Sequence, residues 1–287
     1  MTALVADRSP RGLVVVSGPD ATSFLQSLVS QDLDAIGSGA SGPSLLLTPK
    51  GKLDAVFRAT RVGDDEWWLD TEADYGPRLA ESLTRYRIRV KADIEDRTAS
   101  TGLVSAIGLD VAGGSNTVTI PTRWGDVNGI DVVGPVGALE SVLPDAARCS
   151  PEAFEAFRIE HGVPRLGVDI DDTTIPQEAF LERDAVSFTK GCFLGQELVA
   201  RIDTRGHVNR YLRQLRVDGP AVPARGAVVH AGDKEVGAVT SAASVPGEDR
   251  VVALAMVRRE INPPADVTLR WDGGQAPAHV LASIAVE

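Results

Sequence analysis

The most unusual stretch of the chain, in which two glycines bracket a Cys-Phe pair, reads Lys190-Gly191-Cys192-Phe193-Leu194-Gly195-Gln196-Glu197. Glycine adopts backbone conformations that other residues avoid and lets another group approach closely, so Gly191 and Gly195 predict a tight turn. A cysteine in such a turn is expected to be accessible, although free cysteines are more often small buried hydrophobes. Lys190 and a helix that starts near Gly195 would each stabilise a Cys192 thiolate by lowering the pKa of the thiol.

The residues that follow this stretch are rich in arginine. Between Arg201 and Arg216 there are five arginines and one acid, Asp203, although the formal net charge of the chain is −11. A local positive patch on an acidic chain indicates a discrete anionic ligand, with a solvated strand or loop face as the alternative. The overall negative charge disfavours a general nucleic-acid binder, because neutralising phosphates needs basic surface.

Length and composition set the class of protein. At roughly 100–200 residues per domain, a chain of 287 residues indicates two domains. No apolar run approaches the roughly 20 residues that span a bilayer, and Met1 to Pro10 contains no basic segment followed by an apolar one. We therefore expect a cytoplasmic protein with no membrane partner. The two cysteines, Cys149 and Cys192, should be reduced there, and with four scattered histidines they predict no metal site.

Hydrophobic periodicity divides the chain into a mixed α+β part and an all-β end. In the first part, strand-like runs alternate with helical patterns over 21–29 and 72–87, and with a helix that starts at Ser150-Pro151-Glu152 and stops at Gly162. Ser17 or Asp20 is predicted to cap the first helix. Beyond residue 211 only strand runs occur, at 212–217, 226–230, 235–240, 251–257 and 266–271. This pattern predicts a small β-barrel and places the domains at 1–210 and 211–287.

At this point the residues suggest a family. The stretch from Lys190 to Glu197 closely resembles the K-G-C-[FY]-x-G-Q-E signature of the YgfZ family of folate-binding proteins. Shorter pieces resemble that family or the related glycine-cleavage T-proteins, and they lie in order along nearly the whole chain: Ser17–Ala21, Arg158–Gly162, Ile175–Ala179, Val199–Arg201, Arg205-Gly206, Arg210 and Gly237–Ser241. The eight-residue signature is specific, whereas each of the other pieces is weak alone.

The resemblance implies a fold and a ligand. The fold is α+β: a T-protein-like (GcvT-like) folate-binding body of two subdomains around a central hole, followed by a C-terminal β-barrel. The implied cofactor is tetrahydrofolate, with or without a polyglutamate tail. Glu160, in the matching helix end, is the candidate for the pterin ring, because a carboxylate accepts two parallel donors; the alternative is a surface acid. The other candidates for holding the folate are Lys190, Gln196, Glu197, and, toward its carboxylates, Arg201 and Arg205.

One stretch departs from the T-proteins. Their G-G-I-x-D-D turn corresponds to Lys50–Ala55, where Asp54 remains and Ala55 stands in place of the second acid. Losing one acid of a pair removes a candidate for proton transfer, which weakens an aminomethyltransferase assignment. Asp54 and Cys192 are the candidate catalytic residues, with an outward-facing strand residue as the alternative for Asp54.

The resemblance also implies a function. YgfZ-type proteins are associated with the upkeep of iron–sulfur enzymes, so we expect a tetrahydrofolate-binding accessory protein for iron–sulfur cluster assembly or repair, with iron–sulfur proteins or their assembly machinery as partners. Cys192 would handle sulfur or a mixed disulfide, or the folate would remove a one-carbon adduct. The alternatives are a folate-dependent aminomethyltransferase or other one-carbon transferase, and an RNA-modification module, which the acidic charge and the missing G-x-x-x-x-G-K-[ST] pattern disfavour.

Overall fold

The computed structural model describes residues 4–125, 127–140 and 148–282. Their first part contains two antiparallel sheets. The five-stranded sheet has the order β3-β4-β5-β2-β6 and the four-stranded sheet the order β1-β7-β9-β8. The strands are β1 Leu4–Asp7, β2 Arg11–Ser17, β3 Ser41–Leu47, β4 Leu53–Gly63, β5 Glu66–Glu72, β6 Asp93–Asp96, β7 Thr101–Ile107, β8 Val118–Trp124 and β9 Val127–Pro135.

Six α-helices are described within these ranges: α1 Ala21–Leu28, α2 Gly76–Tyr86, α3 Val136–Leu139, α4 Pro151–Glu160, α5 Glu182–Ala185 and α6 Gln196–Arg205. The Oγ atom of Ser150 accepts from the backbone N–H of Ala153 at 3.2 Å, so the predicted start of α4 is confirmed. The predicted cap of α1 is wrong. Asp20 precedes α1 without capping it, because its Oδ2 atom accepts instead from the backbone N–H of Lys91 at 2.8 Å.

Strand β4 contributes to two core environments in the body. Ala55 and Phe57 of β4 pack in the main core of the five-stranded sheet, whereas Leu53 packs with Leu45 and Leu47 in a second core cluster. The main core of the five-stranded sheet lies beneath α1 and α2 and includes Phe24, Leu25, Trp67, Leu79 and Leu83. Asp54 is half-buried and lies between these two environments, at the irregularity of the β3–β4 ladder where Leu46 pairs with Ala55 and Leu47 with Leu53.

The C-terminal part is a closed six-stranded barrel of order β10-β13-β12-β11-β14-β15, which confirms the prediction of a barrel. Its strands are β10 Arg210–Val217, β11 Val228–Ala231, β12 Lys234–Ser244, β13 Val251–Arg258, β14 Ala265–Trp271 and β15 Gly274–Val280. The sequence patterns missed β15, whose Pro277 weakens a strand prediction. This strand closes the barrel, because Leu215 of β10 pairs with Val280.

A buried ion network joins the two sheets of the body. Arg58 donates from Nε to Asp70 at 2.8 Å and from Nη1 to Asp131 at 2.7 Å, and both acids are almost completely buried. Arg11 also pairs with Asp70 at 3.0 Å, and the Oγ of Ser105 donates to Asp131 at 2.6 Å. Because buried charges are tolerated only when they are paired, these contacts fix how the sheets pack together.

A second buried network joins α4 to the barrel. Arg158 donates from Nη1 to Asp169 at 2.8 Å and from Nη2 to the Oγ of Ser241 at 2.8 Å, and it also pairs with Glu155. The hydroxyls of Thr240 and Ser241 each donate to Asp169 at 2.6 Å. Two weak sequence pieces, the helix end at 158–162 and the barrel turn at 237–241, thus meet through Asp169. No helix in the described ranges is both long enough and apolar enough to span a membrane.

Candidate functional site

The turn from Lys190 to Glu197 packs backbone against backbone on the β3–β4 hairpin. Gly195 precedes α6 with φ at 77°, and a Cβ there would lie 2.5 Å from the carbonyl oxygen of Thr48. Gly51, in the hairpin turn, has φ at 68°, and its Cβ would lie 2.7 Å from the Cβ of Leu198. Both positions therefore require glycine. Gly191 differs from the expectation, because a Cβ there would meet no atom within 4 Å.

Cys192 lies on the surface of this turn, as the sequence predicted. The next residue, Phe193, is buried in a core cluster with Leu45, Leu47 and Leu53. The turn has little freedom, because Phe193 is anchored in the core and Gly195 packs against the hairpin. The thiol of Cys192 is therefore held at a fixed place. Cys149, by contrast, is partly buried, and burial raises the pKa of its thiol.

The side chain of Lys190 hydrogen-bonds to the carboxyl end of α1. Its Nζ donates to the carbonyl oxygens of Gln26, Val29 and Gln31 at 2.7, 2.9 and 2.8 Å, and to Oε1 of Gln26 at 3.1 Å. These carbonyls lie where a helix ends and its last acceptors need donors. Burial lowers the pKa of Lys190 from 10.5 to about 8, with nearby acids acting in the opposite direction. Lys190 thus ties the Cys192 turn to α1; its roles toward folate and the thiol stay predictions.

Replacing Lys190 by methionine is expected to lower the free energy of unfolding by about 2 kcal/mol, because hydrogen bonds to a charged group each contribute about 1.5–3 kcal/mol. Methionine keeps the length of the side chain but leaves three carbonyls without their donor. Urea unfolding followed by circular dichroism measures the change. The exposed Lys91 provides the control, since Lys91→Met should change stability by less than about 0.5 kcal/mol. Equal stability of the two variants would contradict the anchoring role.

Asp54 is held in an ion pair that the sequence did not indicate. Its Oδ1 accepts from Arg78 of α2, at 2.9 Å from Nη2 and 3.2 Å from Nε. The same Nη2 lies 3.7 Å from Asp172, and the guanidinium lies 5.8 Å from the centre of the Tyr75 ring. A carboxylate oxygen that already accepts two hydrogen bonds from Arg78 has fewer lone pairs free for a ligand.

Glu160 ends α4 and faces the barrel. Its Oε1 accepts from Nη1 of Arg250, which also pairs with Glu248 at 2.9 Å. Its backbone oxygen accepts from Gln214 at 2.6 Å. A pterin ring that used this carboxylate would compete with Arg250, so the carboxylate can serve a ligand only if Arg250 turns away or shares it.

The remaining candidates lie along α6. Glu197, Arg201 and Arg205 are exposed and four residues apart, which places them on one stripe of the helix, whereas Gln196 is half-buried. Within the described part of the chain, neither arginine of the stripe has a carboxylate within ion-pair distance. The stripe begins directly after the Cys192 turn and offers two cations to an anion near it.

A cavity of about 300 Å³ lies between β1, the end of β5, β8 and α4. Its lining includes Arg8, Glu72, Trp124, Cys149, Phe154 and Arg165. The guanidinium of Arg8 lies 4.9 Å from the ring centre of Trp124 and 5.3 Å from that of Phe154. None of the eight sequence-predicted site residues lines this cavity. Sequence patterns could not find it, because four separate segments contribute its walls.

Arg8 is the cation of this cavity with the least complete pairing. It donates to the Oγ of Ser105 at 3.2 Å, and its nearest acids, Asp131 and Glu72, lie at 3.8 and 3.9 Å. Burial, with the like charge of Arg11, lowers the pKa of Arg8 to about 10. The indole N–H of Trp124 is buried and finds no acceptor among the described residues. The cavity therefore offers aromatic faces, a cation and unused donors to a ligand with an acidic group.

Comparison with known proteins places this architecture in a class. Residues 210–286 match the family described as the glycine cleavage T-protein C-terminal barrel domain. The chain also superposes on the crystal structure of glycine cleavage system aminomethyltransferase T from Bartonella henselae with a TM-score of 0.85 and 20% identity, over 99% of this chain and 86% of that one. The chain therefore has the T-protein-like fold, as the sequence predicted.

Two curated relatives resemble this chain in sequence over most of its length. The tRNA-modifying protein YgfZ of Cronobacter sakazakii is 25% identical over 293 residues, covering 93% of this chain and 88% of that protein. An iron–sulfur cluster assembly factor IBA57 homolog, mitochondrial, of Mycosarcoma maydis is 29% identical over 227 residues, covering 71% of this chain but only 55% of the relative. The chain is thus similar in sequence to YgfZ-type and IBA57-type proteins and has the fold of the T-proteins.

Proposed function

We propose that the chain is a tetrahydrofolate-binding accessory protein that supports iron–sulfur cluster assembly or repair in the cytoplasm, with Cys192 acting beside the folate. One observation carries the proposal: an exposed cysteine held at a fixed place on a T-protein-like fold. The name of one relative, an iron–sulfur cluster assembly factor, supports it, whereas the name of the other, a tRNA-modifying protein, fits the RNA-modification alternative. The partners proposed are iron–sulfur proteins or their assembly machinery.

The cavity beside α4 is the candidate pocket for the folate rings, although neither Cys192 nor the other sequence-predicted site residues line it. Trp124 and Phe154 would stack on its rings, and Arg8 and Arg165 would face its acidic groups. At about 300 Å³ the cavity is at the low end for ligand pockets, so it suits the ring system and leaves the glutamate tail outside. Arg201 and Arg205 remain the candidates for that tail. Glu160 ends the same helix but faces Arg250 of the barrel and does not line this cavity, so it is the candidate for the pterin edge only if the rings bind on the barrel side instead.

The proposed chemistry belongs to the thiol. A Cys192 thiolate would attack the outer sulfur of a partner's persulfide, forming a Cys192 persulfide while the partner's own cysteine sulfur leaves as a thiolate. With a partner's disulfide it would form a mixed disulfide while the other sulfur leaves as a thiolate. Folate, when bound, supplies nucleophilic nitrogens that accept a one-carbon unit. The protein's part beside it is to hold the rings, exclude water and present the thiol.

A one-carbon transferase is the second candidate, because the chain shares the fold of aminomethyltransferase T. In that reading Asp54 would stabilise a developing cation. Its ion pair with Arg78 already uses this carboxylate, which makes the transferase the weaker proposal. Release of ammonia from an aminomethyl donor, with transfer of its methylene group to tetrahydrofolate, would favour the transferase.

Anaerobic titration with tetrahydrofolate, followed by tryptophan fluorescence and calorimetry, tests the folate site. We expect saturable binding in the micromolar range, and about tenfold weaker binding for Arg165→Ala, which loses a charged contact in the cavity. Weaker binding for Glu160→Ala with unchanged binding for Arg165→Ala would place the rings on the barrel side of α4 instead. Trp124→Phe should abolish most of the fluorescence change, while Trp271→Phe, in the barrel, should not. Absence of saturable heat at high folate concentration would refute the proposal.

The same titration with polyglutamyl folate tests the α6 stripe. Arg205→Ala should weaken binding of the polyglutamyl form more than that of the monoglutamyl form, because only the longer tail places extra carboxylates near an exposed cation. Equal affinities for both forms, unchanged from the unaltered protein, would remove Arg205 from the site.

A further inference from the structure

The last two residues of α2 and the segment that joins this helix to β6 alternate cations with apolar residues. We call this stretch the basic–apolar loop, and it reads Arg85-Tyr86-Arg87-Ile88-Arg89-Val90-Lys91. Ile88 is 72% exposed, more than any other large apolar side chain in the described part of the chain, and Tyr86 is 38% exposed. Such exposure of an isoleucine, surrounded by charge, is a feature of interaction surfaces.

The loop carries surplus positive charge. Arg85 lies 3.6 Å from Glu81 and Arg87 lies 3.3 Å from Asp93, but both pairs are exposed, and exposed ion pairs contribute little. For the side chains of Arg89 and Lys91, the described residues supply no ion pair or hydrogen bond. On a chain with a net charge of −11, this loop is therefore a local cationic surface whose charges are available to a partner.

The loop is held in shape. The backbone N–H of Lys91 donates to Oδ2 of Asp20 at 2.8 Å, and the carbonyl of Lys91 accepts from the backbone N–H of Asp20 at 3.2 Å. Arg87 donates from Nη1 to the carbonyl of Ala92 at 3.0 Å. Arg89 adopts the left-handed region, with φ at 57°, which is unfavourable for a residue with a Cβ. Ile88 is thus kept in solvent by a defined backbone rather than by a loose chain.

The loop and the Cys192 turn lie at opposite ends of one helix. Asp20, which holds the loop, precedes α1, and Lys190 binds the carbonyls at the other end of α1. The eight residues of α1 span about 12 Å. Exposed Ser23 and Ser27, one turn apart, lie on the solvent face of α1 between these ends. A protein seated on the loop can therefore extend along α1 to the thiol.

We propose that the basic–apolar loop is a docking surface for a protein partner that presents an acidic segment with an interspersed aliphatic side chain. The alternating cations match such a segment in charge, and Ile88 matches its apolar side chain. A nucleic acid fits less well, because an aliphatic side chain gives bases no stacking face and the rest of the chain repels a polyanion. The docking itself does not depend on the proposed function. Only the further step, that the docked partner is the protein on which Cys192 acts, rests on that function.

Fluorescence anisotropy with a labelled peptide of alternating glutamate and leucine tests the docking. The intact protein should bind this probe, and added salt should weaken the binding. A variant combining Arg89→Glu and Lys91→Glu should bind about tenfold or more weakly, because like charges then face each other, and Ile88→Ser should bind several-fold more weakly. Arg259→Glu and Val222→Ser, at exposed sites of the C-terminal part, are the matched controls and should bind as the unaltered protein does.

Two results would overturn the inference. Loop variants that bind the peptide as tightly as the controls would show that the loop is not the docking surface. Tighter binding of a short single-stranded RNA than of the peptide, lost in the same loop variants, would make it a nucleic-acid surface instead. Tetrahydrofolate titration of the loop variants keeps this test apart from the folate proposal, because exposed loop substitutions should leave that titration unchanged.

Discussion

Replacing Arg58 by methionine is expected to lower the free energy of unfolding by about 3–5 kcal/mol, the usual cost of removing one partner from a buried ion pair. The change leaves Asp131 and Asp70, which are 2% exposed each, without the guanidinium that joins them. Urea unfolding followed by circular dichroism measures the loss. Arg97→Met is the control, since the Arg97–Glu95 pair is exposed and should contribute less than about 1 kcal/mol.

The loss of unfolding free energy in the Arg58→Met variant should become smaller as the pH falls. Burial alone raises the pKa of Asp70, but Arg58 and Arg11 outweigh it and hold this pKa below its ordinary value of 3.8. A carboxyl whose pKa is lower in the folded state stabilises that state above its unfolded pKa, and this contribution disappears as the pH falls through the folded pKa. The difference between the two proteins should therefore be complete at neutral pH and shrink in strong acid. A difference that grows on acidification would contradict this account.

Replacing Cys192 by serine is expected to abolish the restoration of iron–sulfur enzyme activity in a cell that lacks the protein, while tetrahydrofolate affinity stays unchanged. Serine preserves the size of the side chain but cannot form a thiolate, a persulfide or a mixed disulfide. Activity of an iron–sulfur enzyme in extracts, normalised to the level of the variant protein, is the measurement. Cys149→Ser, at the half-buried cysteine, is the control for loss of a thiol as such. It should restore activity provided that its tetrahydrofolate affinity is unchanged, which is measured alongside because Cys149 lines the candidate folate cavity. Full restoration by Cys192→Ser would leave the thiol without a function in cluster upkeep.

Local patterns predicted the elements whose signals are local. Ser150 and Pro151 mark a helix start through capping chemistry, and the alternating runs after Arg210 predict strands, so α4 and the barrel followed from the sequence. The short β1 and the proline-containing β15 give weak local signals and were missed. The division of the chain into 1–210 and 211–287 stays a prediction, although β10 begins at Arg210.

The site was predictable only in part. The accessibility of Cys192 and the requirement for glycine at position 195 follow from the composition of one turn. The ion-pair partners of the charged residues do not follow from local sequence, because Arg58 and Asp131 are 73 residues apart and Glu160 and Arg250 are 90 residues apart. Only the folded topology brings such pairs together, so the salt bridges of Asp54 and Glu160 could not be anticipated from spacing.

The contact of Asp169 with the barrel limits how the chain can be rebuilt. Its buried carboxylate takes hydrogen bonds from Thr240 and Ser241 as well as from Arg158. A barrel transplanted from another protein would have to bring two hydroxyls to the same places, since a strand with alanine and valine there would bury an undersupplied carboxylate. Body and barrel can therefore be recombined in chimeras that keep Asp169 and Arg158 together with hydroxyls at positions 240 and 241.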